Sequence, residues 1–178
     1  MPLQWMTIHP PKQPWFRTAA DGLHITPSST PIGGHGSGGQ PAYLAHRLQH
    51  HRATITATLN PASIDSGALA GLVLLQNERN HYVVAVEHDE RGSALVVLQR
   101  TGEQSPIAGQ ELKRIALPAT TRPVSLRFDL DGPRLNVYYA AEPDQWQAIA
   151  TNLDASLLSA AIAGGFIGNT FGPYALRR

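Results

Sequence analysis

Two short runs of this 178-residue chain hold residue types that could do chemistry. "GGHGSGGQ", Gly33 to Gln40, contains Gly34-x-Gly36-x-x-Gly39, the glycine spacing of a dinucleotide-binding turn. "HRLQHH", His46 to His51, follows with three histidines in six positions. A phosphate site on such glycines needs an apolar strand before it and a helix after it, because the first free amides of the helix hold the anion. Here "SSTP" precedes the run, and Pro41 with a strand-like segment follows. The glycines therefore read as a flexible connection spanning 27–40. On a strand, His46 and His50 share a face but stand roughly 13 Å apart, too far to hold one ion, and no cysteine or neighbouring carboxylate completes a ligand set. Neither a metal nor any other cofactor is expected.

Hydrolytic chemistry finds no local anchor either. A glycosidase needs two carboxyls flanking the scissile bond, and acids such as Asp89, Glu90, Asp131, Glu142, Asp144 and Asp154 fall at expected turns or loop ends. A serine nucleophile would sit in Gly-x-Ser-x-Gly, which does not occur. Trp146, in "EPDQWQAI", can stack on a sugar or fill a core, and the local sequence supports both.

Bulk properties narrow the classes further. Fourteen basic and thirteen acidic residues leave a formal charge of +1, with Lys and Arg scattered singly, which argues against nucleic acid or an anionic membrane as partner. The absence of cysteine removes disulfides and thiolate chemistry and leaves the redox compartment open. No basic and apolar leader opens the chain and no run approaches the length of a membrane span, so a soluble, cytoplasmic protein is expected. The length suits one domain, 1–178.

The elements that would position these residues are strands. Ala53, Ile55, Ala57 and Leu59 alternate with Thr54, Thr56 and Thr58, the period of a half-buried strand. The same period recurs at Val124–Leu130 and Leu135–Tyr139, and Asp131-Gly132 between them supplies hairpin turn chemistry. A second hairpin is expected between His81–Glu87 and Ser93–Arg100. Leu69–Gln76 is apolar on both faces, as in a central strand covered on both sides. Further strands are expected at Gly22–Thr26, Ala42–Gln49, Glu111–Leu117, Gln145–Ala150 and Gly164–Phe171, with one or two helical turns within Asp154–Gly164. About ten short strands divided by turn signals predict an all-β, antiparallel sandwich or barrel.

Three passages carry a resemblance. "PAYLAHRLQHHRATITATL" (Pro41 to Leu59), "AGLVLLQNERNHYVVAV" (Ala70 to Val86) and "AGGFIGNTFGPYA" (Ala163 to Ala175) are similar, in order and spacing, to the C-terminal β-sandwich of family 43 glycoside hydrolases of the β-xylosidase type. Arg47, Gln49 and His50 match the first motif, with His46 and Leu48 replacing an Arg and a Gln. Ala70-Gly71-Leu72, Gln76-Asn77, Asn80 and Tyr82 match the second. Gly165-Phe166, Gly168, Gly172 and Tyr174-Ala175 match the third, with Ile167 where Thr is usual. Trp5, Leu23 and Trp146 also fall where the family has Trp, Leu and Trp.

The resemblance implies a concanavalin A-like jelly roll of two packed antiparallel sheets, appended to a five-bladed catalytic propeller. Five blades would need more than roughly 200 residues, so the propeller and its carboxylates lie outside this chain, and no catalytic residue is assigned. The role implied is that of a non-catalytic accessory sandwich that packs on a propeller, as a domain or a separate chain, and helps shape a xyloside or arabinoside pocket. The alternative is a free-standing carbohydrate-binding module for xylo- or arabino-oligosaccharides. Phe166 and then Phe171 are candidates for the aromatic that closes the pocket, with core packing as the competing role. Trp146 is the third pocket or interface candidate. Arg47, Gln49, His50, Gln76 and Asn77 are expected to form a buried polar network supporting the sheet. Family chains continue past Gly-x-Tyr-Ala into a final strand. An unpaired edge, and a homo-oligomer through it, are therefore expected at the C-terminus.

Overall fold

The alternating runs build the smaller of two facing sheets. In a computed structural model describing residues 4–37, 39–118, 122–165 and 168–178, with the side chains of 35–37 set aside, four strands pair in the order β12 (Gln147–Asp154), β11 (Arg134–Ala140), β10 (Val124–Asp131), β5 (Arg52–Leu59). Their odd-even pattern is read out in register: Phe128 pairs with Val137 and Ile55 on the inner side, and Asp129 pairs with Asn136 and Thr54 on the outer side.

The apolar passages build the larger sheet. Its order is β1 (Trp5–Thr7), β4 (Ala42–Arg47), β13 (Thr170–Arg177), β6 (Ala68–Asn77), β7 (Asn80–Asp89), β8 (Gly92–Thr101), β9 (Gln110–Leu117), with every neighbour antiparallel. Between the sheets lies the main core, where Leu72, Leu74, Tyr82 and Leu95 of the larger sheet meet Leu126 and Phe128 of the smaller. This is an antiparallel two-sheet sandwich, as the strand pattern predicts.

The larger sheet is also apolar on its far side. Leu69, Val73, Val83, Val96 and Leu98 point away from the smaller sheet, and each is 2% exposed or less. The chain covers them itself. Ile32, 1% exposed, packs among them, and the segment carrying it is tied to the last strand through Arg177 N–H to the Ser28 carbonyl at 2.8 Å. The stretch 27–40 is thus only in part the loose connection expected, since Ile32–Ser37 forms a 3-10 helix around a buried anchor. A short hairpin, β2 (Phe16–Ala19) with β3 (Gly22–Ile25), sits beside Trp15, which packs on Ala42 and Leu44.

The last strand departs from expectation. It runs Thr170–Arg177, and the preceding residues, expected as strand from Gly164, close a helical turn with Gly164 and Gly165 at φ 73° and 75°. Gly172-Pro173 reads as a strand breaker in sequence, yet both lie inside β13. Pairing with β4 holds on either side of them, at Phe171 with His46 and Tyr174 with Tyr43, and lapses across them, which accommodates the missing proline N–H. A side chain at Gly172 would meet the Leu44 carbonyl oxygen at 2.0 Å, so β4 and β13 can approach only with glycine there. Because β13 lies between β4 and β6, the expected unpaired C-terminal edge does not exist, and the basis for a homo-oligomer through it is removed. Arg178 instead donates to the buried Glu87 carboxylate at 2.7 Å.

Buried polar side chains also sit on the far side of the larger sheet. His81 and Arg100 are register partners on β7 and β8, 2% and 6% exposed, and the Arg100 Nη1 donates to the Glu78 carbonyl at 2.9 Å. Gly33 of the N-terminal segment lies so close over Arg100 that a Cβ there would come within 1.8 Å of that nitrogen. Burial first, and the Arg100 charge second, push His81 down to about 4. The unfolded chain protonates His81 near its ordinary value of about 6.5, whereas the folded chain resists, so this histidine's stabilising effect is complete above about pH 6.5 and fades as pH falls toward 4. Denaturant unfolding across that window is expected to show a loss on the order of 3 kcal/mol for the parent chain. His81→Gln should flatten the slope, and an unchanged slope would refute the assignment.

Candidate functional site

The loops at one end of the sandwich enclose a cleft of about 500 Å3. One wall is the β4–β5 connection, where Leu48 N–H bonds the Asn169 carbonyl at 2.9 Å and carries Gln49, His50 and His51 to the rim. The turn between β10 and β11 forms a second wall, held by Gly132 N–H on the His51 carbonyl at 2.9 Å. A third consists of a 3-10 helix, Ala155–Leu158, followed by the single turn α1 (Ala160–Ala163). The Asp154 carboxylate caps the 3-10 helix by accepting from Ser156 N–H at 2.8 Å, and these bonds hold its pKa below the usual carboxylate value. Asn77 fixes α1 to the end of β6 by donating to the Ala163 carbonyl at 3.1 Å.

The structure brings several matched motif residues to this cleft, but not as a buried network. Gln76 is buried at 2% exposure and lines the cleft, and Asn77 is half-buried as the clamp on α1. Arg47, Gln49 and His50 are exposed, which corrects the expectation that they support the sheet from inside. The reason is positional: β4 ends at Arg47, so the residues after it leave the sheet for the loop. Arg47 has a local role, its guanidinium lying 2.8 Å from where a Gly168 side chain would begin, so the last glycine of the Gly-Phe-x-Gly motif leaves room for it.

The aromatic candidates separate. Phe166 lies outside the described residues. Phe171 is on β13 and half-buried against the main core, its ring 5.4 Å from His46, which stacks in turn edge-on with Trp5 at 5.5 Å. That file gives Phe171 and His46 structural positions. Trp146 is on the opposite surface of the smaller sheet, over Arg127 at 5.0 Å. Sequence reasoning missed Ser156, Ser159 and Asn169 as cleft residues, since nothing in their local pattern marks them.

Chemically the cleft offers amides, hydroxyls and imidazoles set among apolar side chains, Leu48, Leu130, Pro133 and Leu158. Among the described residues that line it there is no carboxylate, so no acid and base pair for glycoside cleavage is present there. No cluster of histidine, aspartate or glutamate among the described residues could hold a metal, and no described helix is long and apolar enough to cross a membrane.

Fold and cleft define a concanavalin A-like sandwich with a loop-walled cleft at one end. A family model for the beta xylosidase C-terminal concanavalin A-like domain matches residues 1–178, and the chain belongs to that family. Solved structures agree. A GH43_12 protein from a capybara gut metagenome superposes with a TM-score of 0.84 at 25% identity, covering 97% of this chain and 32% of that one. A xylan beta-1,4-xylosidase from Bacillus halodurans C-125 gives 0.81 at 20% identity, covering 98% and 33%. A protein of unknown function from Saccharomyces cerevisiae shares the fold at 0.68 and 12% identity, and there the match covers 86% of the other chain. No match is found among curated protein sequences. The chain spans about a third of the length of the two glycoside hydrolase structures, as an accessory domain would.

The exposed and buried motif residues should behave differently. His50→Ala is expected to change unfolding free energy by no more than about 0.5 kcal/mol. Gln76→Ala should cost about 1–3 kcal/mol, because it strips partners from a buried polar site. Chemical denaturation of both variants checks this, and equal effects would restore the buried network.

Proposed function

We propose that this chain is the non-catalytic sandwich of a family 43 glycoside hydrolase, docking by its cleft end on a catalytic propeller and helping to shape a xyloside or arabinoside pocket. The observation that carries the reading is the pairing of two facts. The chain corresponds to only a third of glycoside hydrolase structures that it matches over nearly its whole length. Its own end cleft is open, lined by more apolar than polar surface, and without a carboxylate among the described lining residues.

The division of labour follows from the chemistry. A glycosidic bond is broken by two positioned carboxyls, which the propeller would supply, while a rigid neighbouring domain can exclude water and fix the sugar's orientation. Some of the family motif residues lie where that contact would form: Gln49 and His50 on the rim, Gln76 within, and Gly168 on the α1–β13 connection. Phe166, between Gly165 and Gly168 in sequence, is the aromatic the reading assigns to the pocket.

Turnover of p-nitrophenyl xyloside and arabinofuranoside tests it. The chain alone is expected to be inactive at micromolar protein. A separately produced family 43 propeller should gain activity when the chain is added, and Phe166→Ala should reduce that gain roughly tenfold. Measurable turnover by the chain alone would contradict the proposal.

A further inference from the structure

The outer surface of the four-stranded sheet belongs to neither the core nor the cleft, yet it is highly ordered. Three rows of side chains cross it in register. Thr54, Asp129 and Asn136 form one, Thr56, Arg127 and Tyr138 the next, and Thr58 with Ser125 the third. Hydrogen bonds fix them to one another: Thr54 Oγ1 donates to Asp129 Oδ1 at 2.7 Å, Arg127 Nε donates to the same oxygen at 2.8 Å, and the Thr58 and Ser125 hydroxyls are 2.8 Å apart. Over this grid lies Trp146. The row through Tyr138 ends in Ala148 on β12, and from just before that strand the indole meets the Arg127 guanidinium at 5.0 Å, with Tyr138 on the same cation at 5.9 Å.

Three properties of this surface select a ligand class. Trp146 and Tyr138 both contact one guanidinium, so both rings are held in place in advance and little freedom is lost when something stacks on them. Around it stand hydroxyl, amide, carboxylate and guanidinium groups at the spacing of a pleated sheet, and Arg127 and Asp129 remain 26% and 28% exposed, within reach of a ligand's donors and acceptors. Lastly, the charges are matched in place, Arg127 with Asp129 at 2.8 Å and Arg52 with Asp131 at 2.7 Å, so the surface has no net field to recruit a polyanion or a polycation. An aromatic platform, an array of mixed donors and acceptors, and local neutrality together complement a neutral polyhydroxylated chain, whose C–H face stacks on the rings while its hydroxyls meet the grid.

We propose that the outer face of the four-stranded sheet is a saccharide-binding surface, separate from the end cleft, that takes a neutral oligosaccharide on Trp146, Tyr138, Arg127 and Asp129. It would hold a polysaccharide chain alongside the domain, whichever partner occupies the cleft end.

The test uses the chain alone, so it does not depend on docking to a propeller. The three tryptophans, Trp5, Trp15 and Trp146, give three indole N–H signals in a two-dimensional NMR spectrum. Titration with xylohexaose is expected to move the Trp146 signal saturably and leave that of the buried Trp15 in place. Trp146→Ala should weaken binding roughly tenfold without lowering the melting temperature. If that variant misfolds, Tyr138→Ala and the parent titration still decide. Lys113→Ala, exposed on β9 of the other sheet, should leave binding unchanged, and an oligogalacturonate of equal length should not bind. An unmoved Trp146 signal at about 10 mM xylohexaose overturns the proposal. So does binding that survives Trp146→Ala but is lost in His50→Ala, or equal binding of the acidic chain.

Discussion

Everything in this fold depends on a sheet that is apolar on both faces. Leu72, Leu74 and Tyr82 on one side of the seven-stranded sheet and Leu69, Val73 and Val83 on the other are all nearly inaccessible. Each such side chain is worth about 1.5–3 kcal/mol when removed from water, so neither face can be left open. The four-stranded sheet covers the inner face only where it reaches. Trp15 and the small hairpin take up the remainder beside Ala42 and Leu44, and the N-terminal segment lays Ile32 across the outer face. That segment is in turn bound to β13, so both ends of the chain are committed to closing the same sheet.

With both faces spoken for, adaptable surface is left in two places. One is the sandwich end, where loops can vary without disturbing the strands and where the cleft forms. The other is the outside of the four-stranded sheet, whose alternating pattern delivers a polar side chain at every second position. The first fits contact with a catalytic domain. The second is organised by pairings among Thr54, Arg127, Asp129 and Trp146 that the core does not require.

Most of the strands are legible because burial on one face forces a period of two, as in Ala53 to Leu59, and because Asp131-Gly132 closes a hairpin by local turn chemistry. The two-faced character of Leu69 to Gln76 is legible for the same reason, as a run without polar alternation. The last strand is harder to place. Gly172-Pro173 carries the local signature of a break, and only the lapse in the β4 ladder, a tertiary fact, permits a strand there. Burial of the motif polar residues is illegible in kind. Gln49 and His50 look like supports for a sheet until β4 is seen to end at Arg47. Trp146 can be assigned to core or surface only once Arg127, nineteen positions earlier in the chain, is seen beneath it.

On the proposed docking, the cleft end is the face turned toward a catalytic partner. Hydrogen–deuterium exchange of the chain with and without a family 43 propeller tests it most directly. The account predicts slowed exchange at residues 48–51, 132–133 and 155–160 on adding the propeller, with 54–58 and 125–129 unchanged. Slowed exchange confined to the outer face of the four-stranded sheet, or none at the cleft, would contradict it.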